Sequence, residues 1–166
     1  MSHPPRASRA YRNIARVVRP FLRSVSRRDW RGTENLPTGG GYIAVANHVT
    51  NLDPLTFAHF MYDQGVAPRF LANDSIFRVP VLGRVLLSTG QIPVARGTAT
   101  AGHSLDAAAA ALAAGEVVAV FPEGTLTRDP DLWPMVGRTG AARLALTTGV
   151  PVIPVSAREG WGIQEL

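Results

Sequence analysis

The 166-residue chain has no cysteine, no lysine and no long uncharged apolar run. The lack of cysteine excludes disulfides, thiolate metal ligands and a cysteine nucleophile, and it is compatible with a reducing compartment. A membrane-spanning helix is not predicted, because such a helix needs about 18 or more consecutive apolar residues. The composition, 46% hydrophobic and 17% charged, fits one globular α/β domain with a sizeable core and leaves no room for a second domain.

Because lysine is absent, arginine supplies all 17 basic residues, and these are distributed unevenly. Nine arginines lie in the first 31 residues against one acid, Asp29, which gives this segment a charge of +8. The remaining eight arginines and eleven acids give the rest of the chain a charge of −3. This asymmetry predicts a basic arm, residues 1–31, that contacts an anionic polymer or surface, joined to an acidic body, residues 32–166.

The arm carries apolar residues at helical spacing, with arginines on the flanking face: Tyr11, Ile14, Val17, Val18, Phe21, Leu22 and Val25. It is therefore predicted to form an amphipathic helix that bends or restarts near Pro20. Such a helix binds an anionic membrane surface, where each arginine contributes roughly 1 kcal/mol. A nucleic-acid-binding arm, a mitochondrial-type targeting peptide and a helix that packs on the body are the open alternatives. The continuous apolar stripe, and the absence of a recognisable nucleic-acid module, favour the membrane.

The body alternates apolar strand-like runs with helical patterns after a glycine-rich linker at 32–41. Strands are predicted near 42–46, 69–72, 92–95, 117–120 and 150–155, and helices near 55–62, after Pro80, and near 101–112 and 139–148. This alternation is typical of an α/β fold with a mixed, mostly parallel sheet flanked by helices. The prolines that bracket the last strand favour a sheet edge or a strand start.

A histidine and an aspartate lie five residues apart in the loop that follows the first predicted strand. Asp53-Pro54 reads as a helix cap followed by proline at the first helical position, so His48 and Asp53 flank one short strand-to-helix loop. A carboxylate that accepts from one imidazole nitrogen fixes the tautomer and leaves the other nitrogen to take a proton. The pair is therefore a candidate general base with the residue that orients it, although a packed histidine beside a helix cap gives the same pattern.

Two further polar blocks come directly after predicted strands. Phe121-Pro122-Glu123-Gly124-Thr125 follows the strand at 117–120, and Arg96 ends the strand near 92–95. Ligands bind at the carboxyl edge of parallel sheets, where a glycine lets backbone N–H groups approach an anion. A guanidinium suits bidentate phosphate binding. Taken separately, the first block is also a common turn and the arginine is also a common surface residue.

Together and in this order, the blocks at 47–53, 90–96, 121–125 and 150–155 resemble the glycerolipid acyltransferase family, best known from the 1-acylglycerol-3-phosphate acyltransferases. The resemblance covers about residues 33–166. It implies acyl transfer from acyl-CoA or acyl carrier protein to a lipid hydroxyl, with no resident cofactor. No metal is implied either, since the histidines lack a shared ligand spacing.

The resemblance also implies roles for single residues. His48 corresponds to the general base and Asp53 to its partner. Glu123 and Gly124, with Thr125, correspond to the acceptor site, and Arg96 corresponds to a phosphate contact. Apart from the resemblance, Asn47 and Thr50, on either side of the histidine, are candidate hydrogen-bond donors to the tetrahedral intermediate.

The sequence departs from the family pattern at two positions. Asn73 stands about where members often have a lysine, and Leu126 stands where an arginine often follows Glu-Gly-Thr. Arg128, or else Arg78 or Arg69, is a candidate to restore the missing positive charge.

The sequence thus predicts a peripheral acyltransferase of phospholipid synthesis at the cytoplasmic face of an anionic membrane, with 1-acylglycerol-3-phosphate as the acceptor and no nucleic-acid partner. The alternatives are a lipid ester or thioester hydrolase, which lacks support from a Gly-x-Ser-x-Gly motif, and a non-catalytic membrane lipid-binding protein. Family members usually continue into further strand and loop structure. The end at Trp161–Leu166 therefore suggests that the acyltransferase domain, residues 32–166, is C-terminally incomplete.

Overall fold

The computed structural model describes residues 7–25, 28–95 and 101–156, without the side chains of residues 101 and 102. Its helices are α1 (Arg9–Val25), α2 (Asp53–Asp63), α3 (Asp74–Phe77), α4 (Leu82–Ser88), α5 (Ala101–Ala113) and α6 (Gly140–Thr148). Its strands are β1 (Tyr42–Ala46), β2 (Arg69–Asn73), β3 (Ile92–Val94), β4 (Val117–Val120) and β5 (Val152–Val155). Residues 157–166, on which the expectation of an incomplete domain rests, lie outside these ranges.

The five strands form one sheet in the order β3-β2-β4-β1-β5, and every pair is parallel. The predicted α/β fold is therefore confirmed. The two strands that precede the polar blocks, β1 and β4, are neighbours in register from Tyr42 opposite Val117 to Val45 opposite Val120. Because both strands run the same way and end level with each other, the segments that follow them leave from the same edge of the sheet.

Side chains of the sheet alternate between two cores. Tyr42, Ala44 and Ala46 of β1 point to the face covered by α2, where Phe57, Phe60 and Met61 are buried. Ile43 points to the opposite face, where the alanine-rich α5 and the shorter α6 pack. The period of two along β1 and the small side chains of α5 account for this layering, since alanine lets a helix lie close to the strands.

Two strands lie at the edges of the sheet, and both contain proline. Pro93 is in β3 and Pro154 is in β5. A proline has no N–H to give to a neighbouring strand, and an edge strand needs none on its outer side. The edge position predicted for the last strand is confirmed.

Helix α1 lies against α2 and α4, and its apolar residues divide into two stripes. Ala15 and Leu22 are buried against the body, and Tyr11 stacks on Tyr62 at 5.8 Å between ring centroids. Val17, Phe21 and Val25 remain exposed, at 75%, 61% and 60%. The helix continues through Pro20 and does not restart there, because contacts on both sides of the proline hold it. Among the described helices, none is long and apolar enough to cross a membrane.

Asp63, at the end of α2, forms ion pairs with arginines of the arm. Its carboxylate accepts from Arg19, from Arg28 at 3.3 Å and from the Trp30 indole at 3.0 Å, and Arg23 lies 4.0 Å away. Burial raises the pKa of Asp63, but the hydrogen bonds from Trp30 and Arg19 outweigh it and leave the pKa below its usual range. The arm is thus held to the body by ion pairs as well as by its inner apolar stripe.

Candidate active site

The loops that follow β1 and β4 are joined through the backbone of His48. The carbonyl of His48 accepts from the Thr127 N–H at 2.7 Å, and the N–H of His48 donates to Glu123 Oε1 at 3.1 Å. These contacts follow from the pairing of β1 with β4, which places the two strand ends side by side. The structure therefore brings together the two polar blocks that the sequence separates by about 75 residues.

Within the first loop, the predicted pair is in contact. His48 Nδ1 lies 3.0 Å from Asp53 Oδ2, so the ring N–H donates to the carboxylate. The same oxygen accepts the backbone N–H groups of Val49 at 2.5 Å and Thr50 at 2.8 Å, and the Thr50 hydroxyl donates to Oδ1 at 2.7 Å. Asp53 is the first residue of α2, about two residues before the predicted start, and it does not act as a separate cap. Its carboxylate instead closes the loop onto the imidazole.

The hydrogen bonds to Asp53 keep its carboxyl group ionised. Asp53 is 7% exposed. Burial raises its pKa, but the hydrogen bonds from His48, Thr50 and Val49 together outweigh burial and leave the pKa below its usual range. An ionised Asp53 can hold one tautomer of His48 and stabilise the imidazolium that forms when the ring takes a proton.

The imidazole of His48 is held between this carboxylate and an aromatic cluster. It stacks on Phe121 with 4.2 Å between centroids and 22° between planes, and Phe121 stacks on Phe70 at 6.0 Å. The His48 side chain retains 17% exposure, and Nε2 has no hydrogen-bond partner within the described part of the chain. One nitrogen is thus fixed and the other is available to a substrate proton, which is the arrangement that a general base requires.

The second loop begins with a tight turn. The Gly124 N–H donates to the Phe121 carbonyl at 3.0 Å, and Gly124 has φ of 69°, a conformation that favours glycine. Thr125 is exposed and Asn47 is half-buried. The carboxylate of Glu123 lies beneath the turn, 6% exposed, and its Oε2 accepts the Met135 N–H at 3.1 Å.

Comparison with known proteins identifies the family of this chain. The model of the family described as Acyltransferase matches residues 27–158. The chain belongs to the acyltransferase family. The match includes the loops after β1 and β4, so it covers the predicted pair and the glycine turn together.

Individual relatives agree with this assignment. A 1-acyl-sn-glycerol-3-phosphate acyltransferase of Borreliella burgdorferi is 33% identical over 132 residues, which cover 75% of this chain and 48% of the relative. An uncharacterized protein of Mycobacterium leprae is 36% identical over 154 residues, covering 84% of this chain and 40% of the relative. The crystal structure of the 1-acyl-sn-glycerophosphate acyltransferase PlsC from Thermotoga maritima matches with a TM-score of 0.69 and 25% identity, over 88% of this chain and 58% of that chain. The chain spans less than half the length of these two curated relatives.

The structure describes three of the four cations expected to bind phosphate in this acyltransferase-family chain. Arg96 lies outside the described residues. Arg128 is exposed, and its backbone N–H contacts the Met135 sulfur at 3.4 Å. Arg78 pairs with Asp74 at 2.6 Å.

Arg69 does not lie near the site, because it begins β2 and pairs with Glu116 at 2.5 Å at the opposite edge of the sheet. Asn73, in the place of the family lysine, accepts the Ser75 N–H at 3.1 Å and caps α3. Arg128 and Arg78 therefore remain as described candidates for the missing positive charge, and Arg69 is removed from that set.

The sequence did not indicate two contributions to the site. Thr50 was expected to be available as a donor to the tetrahedral intermediate, but its hydroxyl is used by Asp53. A threonine three residues before an aspartate at a helix start is a recognisable local hydrogen-bonding pattern. Phe121 supports the ring of His48 from the neighbouring strand, and no local signal in the sequence shows that contact.

The remaining histidines do not form a metal site in the described ranges, where no group of three potential ligands occurs. His59 is buried and packs edge-on against Trp30 at 5.9 Å between ring centroids. Burial lowers its pKa, and Asp63 only partly offsets this effect. His59 is therefore a neutral, buried residue of α2 that packs in the core.

Proposed function

We propose that this acyltransferase-family chain transfers a fatty acyl group from acyl-CoA or acyl carrier protein to the hydroxyl of a lysophospholipid, 1-acylglycerol-3-phosphate. The observation that carries the proposal is the hydrogen bond from His48 Nδ1 to Asp53, which leaves Nε2 available at the carboxyl edge of the sheet. The name of the Borreliella relative supports this choice of acceptor.

The reaction requires one proton transfer in each direction. His48 Nε2 removes the proton of the acceptor hydroxyl while the oxygen attacks the thioester carbonyl, and the imidazolium then protonates the leaving thiolate. The products are the new oxygen ester and a free thiol, and no acyl-enzyme is needed. A positioned general base contributes about 10² to 10⁴ in rate, or roughly 3 to 5 kcal/mol.

The tetrahedral intermediate also needs hydrogen-bond donors for its oxyanion. The backbone N–H groups of His48 and Gly124 are already bound to Glu123 and Phe121. The N–H groups of Thr125 and Leu126, directly after the turn, form no hydrogen bond within the described ranges. We assign the oxyanion contact to this pair, with Asn47 as the side-chain candidate.

We propose that the acceptor phosphate is bound by Arg128, near the exposed end of the glycine turn, and by Arg96. Gly124 and Thr125 shape the acceptor site. A guanidinium binds phosphate through charge-assisted, often bidentate hydrogen bonds. The exposed guanidinium of Arg128, which forms no ion pair within the described part of the chain, supports this role.

We also propose that the protein works as a peripheral enzyme at the cytoplasmic face of an anionic membrane. The exposed stripe of Val17, Phe21 and Val25 on the arginine-rich α1 supports this location. An exposed apolar stripe flanked by cations matches the interface of an anionic bilayer.

The test is a transfer assay in which labelled acyl-CoA or acyl carrier protein is supplied with a panel of lysophospholipids. We expect labelled phosphatidic acid from 1-acylglycerol-3-phosphate, and loss of at least about 10²-fold in kcat for His48→Ala. His103→Ala, at an exposed position of α5, is the matched control and should leave the rate unchanged. Free fatty acid as the sole labelled product would contradict the proposal and indicate a hydrolase. Lipid binding without turnover would indicate a non-catalytic protein.

A further inference from the structure

The carboxylate of Glu123 is buried, and backbone groups from two different segments donate to it. One oxygen accepts the N–H of His48 and the other accepts the N–H of Met135, both at 3.1 Å. Glu123 is 6% exposed, so little of its surface is open to a substrate. The carboxylate therefore holds the loop after β1 and the segment before α6 together.

The backbone of His48 is fixed on both sides by the loop that contains Glu123. Its N–H is held by the Glu123 carboxylate, and its carbonyl accepts from Thr127 at 2.7 Å. The next two N–H groups along the chain donate to Asp53. Two carboxylates thus hold three consecutive amides, and the position of the imidazole follows from this arrangement.

The charge of Glu123 also argues against contact with the acceptor. The proposed acceptor carries a phosphate, and a carboxylate beside it would repel that anion, most strongly in a buried site. Hydrogen bonds from two backbone amides, by contrast, stabilise a buried carboxylate without a cation. The geometry is that of a carboxylate directed at the backbone of the catalytic loop.

We propose that Glu123 is a positioning residue for His48 and not a ligand of the acceptor. The role depends on the proposed function, because it acts on the proton transfer performed by His48. Glu123 holds the His48 N–H so that Nε2 stays at the correct distance from the acceptor hydroxyl. Small displacements of a catalytic group are costly, and a shift of about 1 Å can lower the rate by about 10²-fold.

The variant that tests this role is Glu123→Gln, which keeps the shape but replaces one acceptor oxygen by a donor NH₂ facing a backbone N–H. We expect kcat to fall by about 10- to 100-fold while KM for 1-acylglycerol-3-phosphate stays within about 2-fold. Glu116→Gln is the matched control. Glu116 directly precedes β4, the strand that Glu123 follows, and it pairs with Arg69 away from the site. This variant should leave both constants unchanged. A raised KM with unchanged kcat would overturn the proposal and make Glu123 an acceptor ligand.

A double variant separates a positioning role from an independent one. In His48→Ala, adding Glu123→Gln should lower the residual rate no further, because Glu123 acts through the missing imidazole. A further loss in the double variant would show that Glu123 acts on the substrate directly and would overturn the proposal.

Amide hydrogen exchange of the unaltered protein tests the contact without any activity. We expect the N–H of His48 to exchange slowly, like that of Ile43 in β1, and to exchange faster in Glu123→Gln while Ile43 is unchanged. Rapid exchange at His48 in the unaltered protein would overturn the positioning role. This measurement remains decisive if Glu123→Gln does not fold. If slow exchange at His48 were found in a protein that transfers no acyl group, the proposed function would fail and the contact would stand.

Discussion

At the scale of single residues, the site depends on a few carboxylates directed at backbone N–H groups. Asp53 and Glu123 differ in their partners: Asp53 binds the ring of His48, and Glu123 binds its backbone. In the proposed mechanism, Asp53 sets the tautomer of the imidazole and Glu123 sets its position. Replacing either residue should therefore change the setting of His48 while leaving the imidazole itself in the protein.

Asp53→Asn should reduce turnover by about 10² to 10⁴-fold, because an amide side chain neither fixes the productive tautomer nor stabilises the imidazolium. KM for the acceptor should change little. The measurement is steady-state kinetics with both substrates varied. A variant with full activity would contradict the role given to this residue.

Asp53 should also contribute to acid sensitivity. Its pKa in the folded protein lies below its usual range, whereas in the unfolded chain it is about 3.9. Its stabilising contribution is therefore complete above about pH 5 and is lost as the pH falls through the folded-state pKa. Urea unfolding midpoints between pH 7 and pH 3 should fall less steeply for Asp53→Asn. Asp106→Asn, at an exposed position of α5, is the control and should follow the unaltered protein.

A glycine before β1 offers a test of close packing. A Cβ atom on Gly41 would lie 2.3 Å from the backbone carbonyl oxygen of Leu112 in α5, whereas one on Gly39 would have no neighbour within 4 Å. Gly41→Ala should therefore reduce the free energy of unfolding by about 1–3 kcal/mol, and Gly39→Ala should have almost no effect. Denaturant unfolding of the two variants checks this difference, and equal stability would contradict it.

At the scale of elements, α1 has two apolar stripes with different surroundings. Leu22 is 5% exposed, whereas its neighbour Phe21 is 61% exposed. The helical spacing alone does not separate them, because the inner stripe is defined by the packing of α1 on α2 and α4. The amphipathic helix was predictable from its period, but the surface that remains available to a membrane was not.

The exposed stripe predicts how lipid binding responds to salt. Replacing Val17, Phe21 and Val25 together by serine should weaken binding to anionic vesicles by roughly 10- to 100-fold and make the residual binding fully sensitive to salt, since only charge attraction remains. Co-sedimentation across a salt series is the measurement. Leu146→Ser is the control, since Leu146 is 87% exposed on α6, which packs on the other face of the sheet. An equal effect of the control would place the lipid contact elsewhere.

At the scale of the whole molecule, the sequence predicted what is local and not what depends on strand order. His48 and Asp53 share one loop, so their contact follows from spacing. The contacts of Glu123 and Phe121 with His48 depend on β4 lying beside β1, although the two strands are separated along the chain by α2, β2 and β3. The packing of Trp30 on Phe60, with 5.3 Å between ring centroids, is another contact that sequence spacing does not show.

The ion pairs of Asp63 have a further consequence that concerns helix polarity. The N-terminal end of α2 carries partial positive charge, which favours Asp53, while the C-terminal end carries partial negative charge, which disfavours a carboxylate at Asp63. Arg19, Arg23 and Arg28 compensate for this unfavourable end. Pulling these arginines away towards lipid phosphates would leave a half-buried anion at the negative pole of the helix. The arm should therefore meet a bilayer while still docked, through its outer surface. The dipole of α2 thus stabilises Asp53 at one end of the helix and favours the docked arginines at the other.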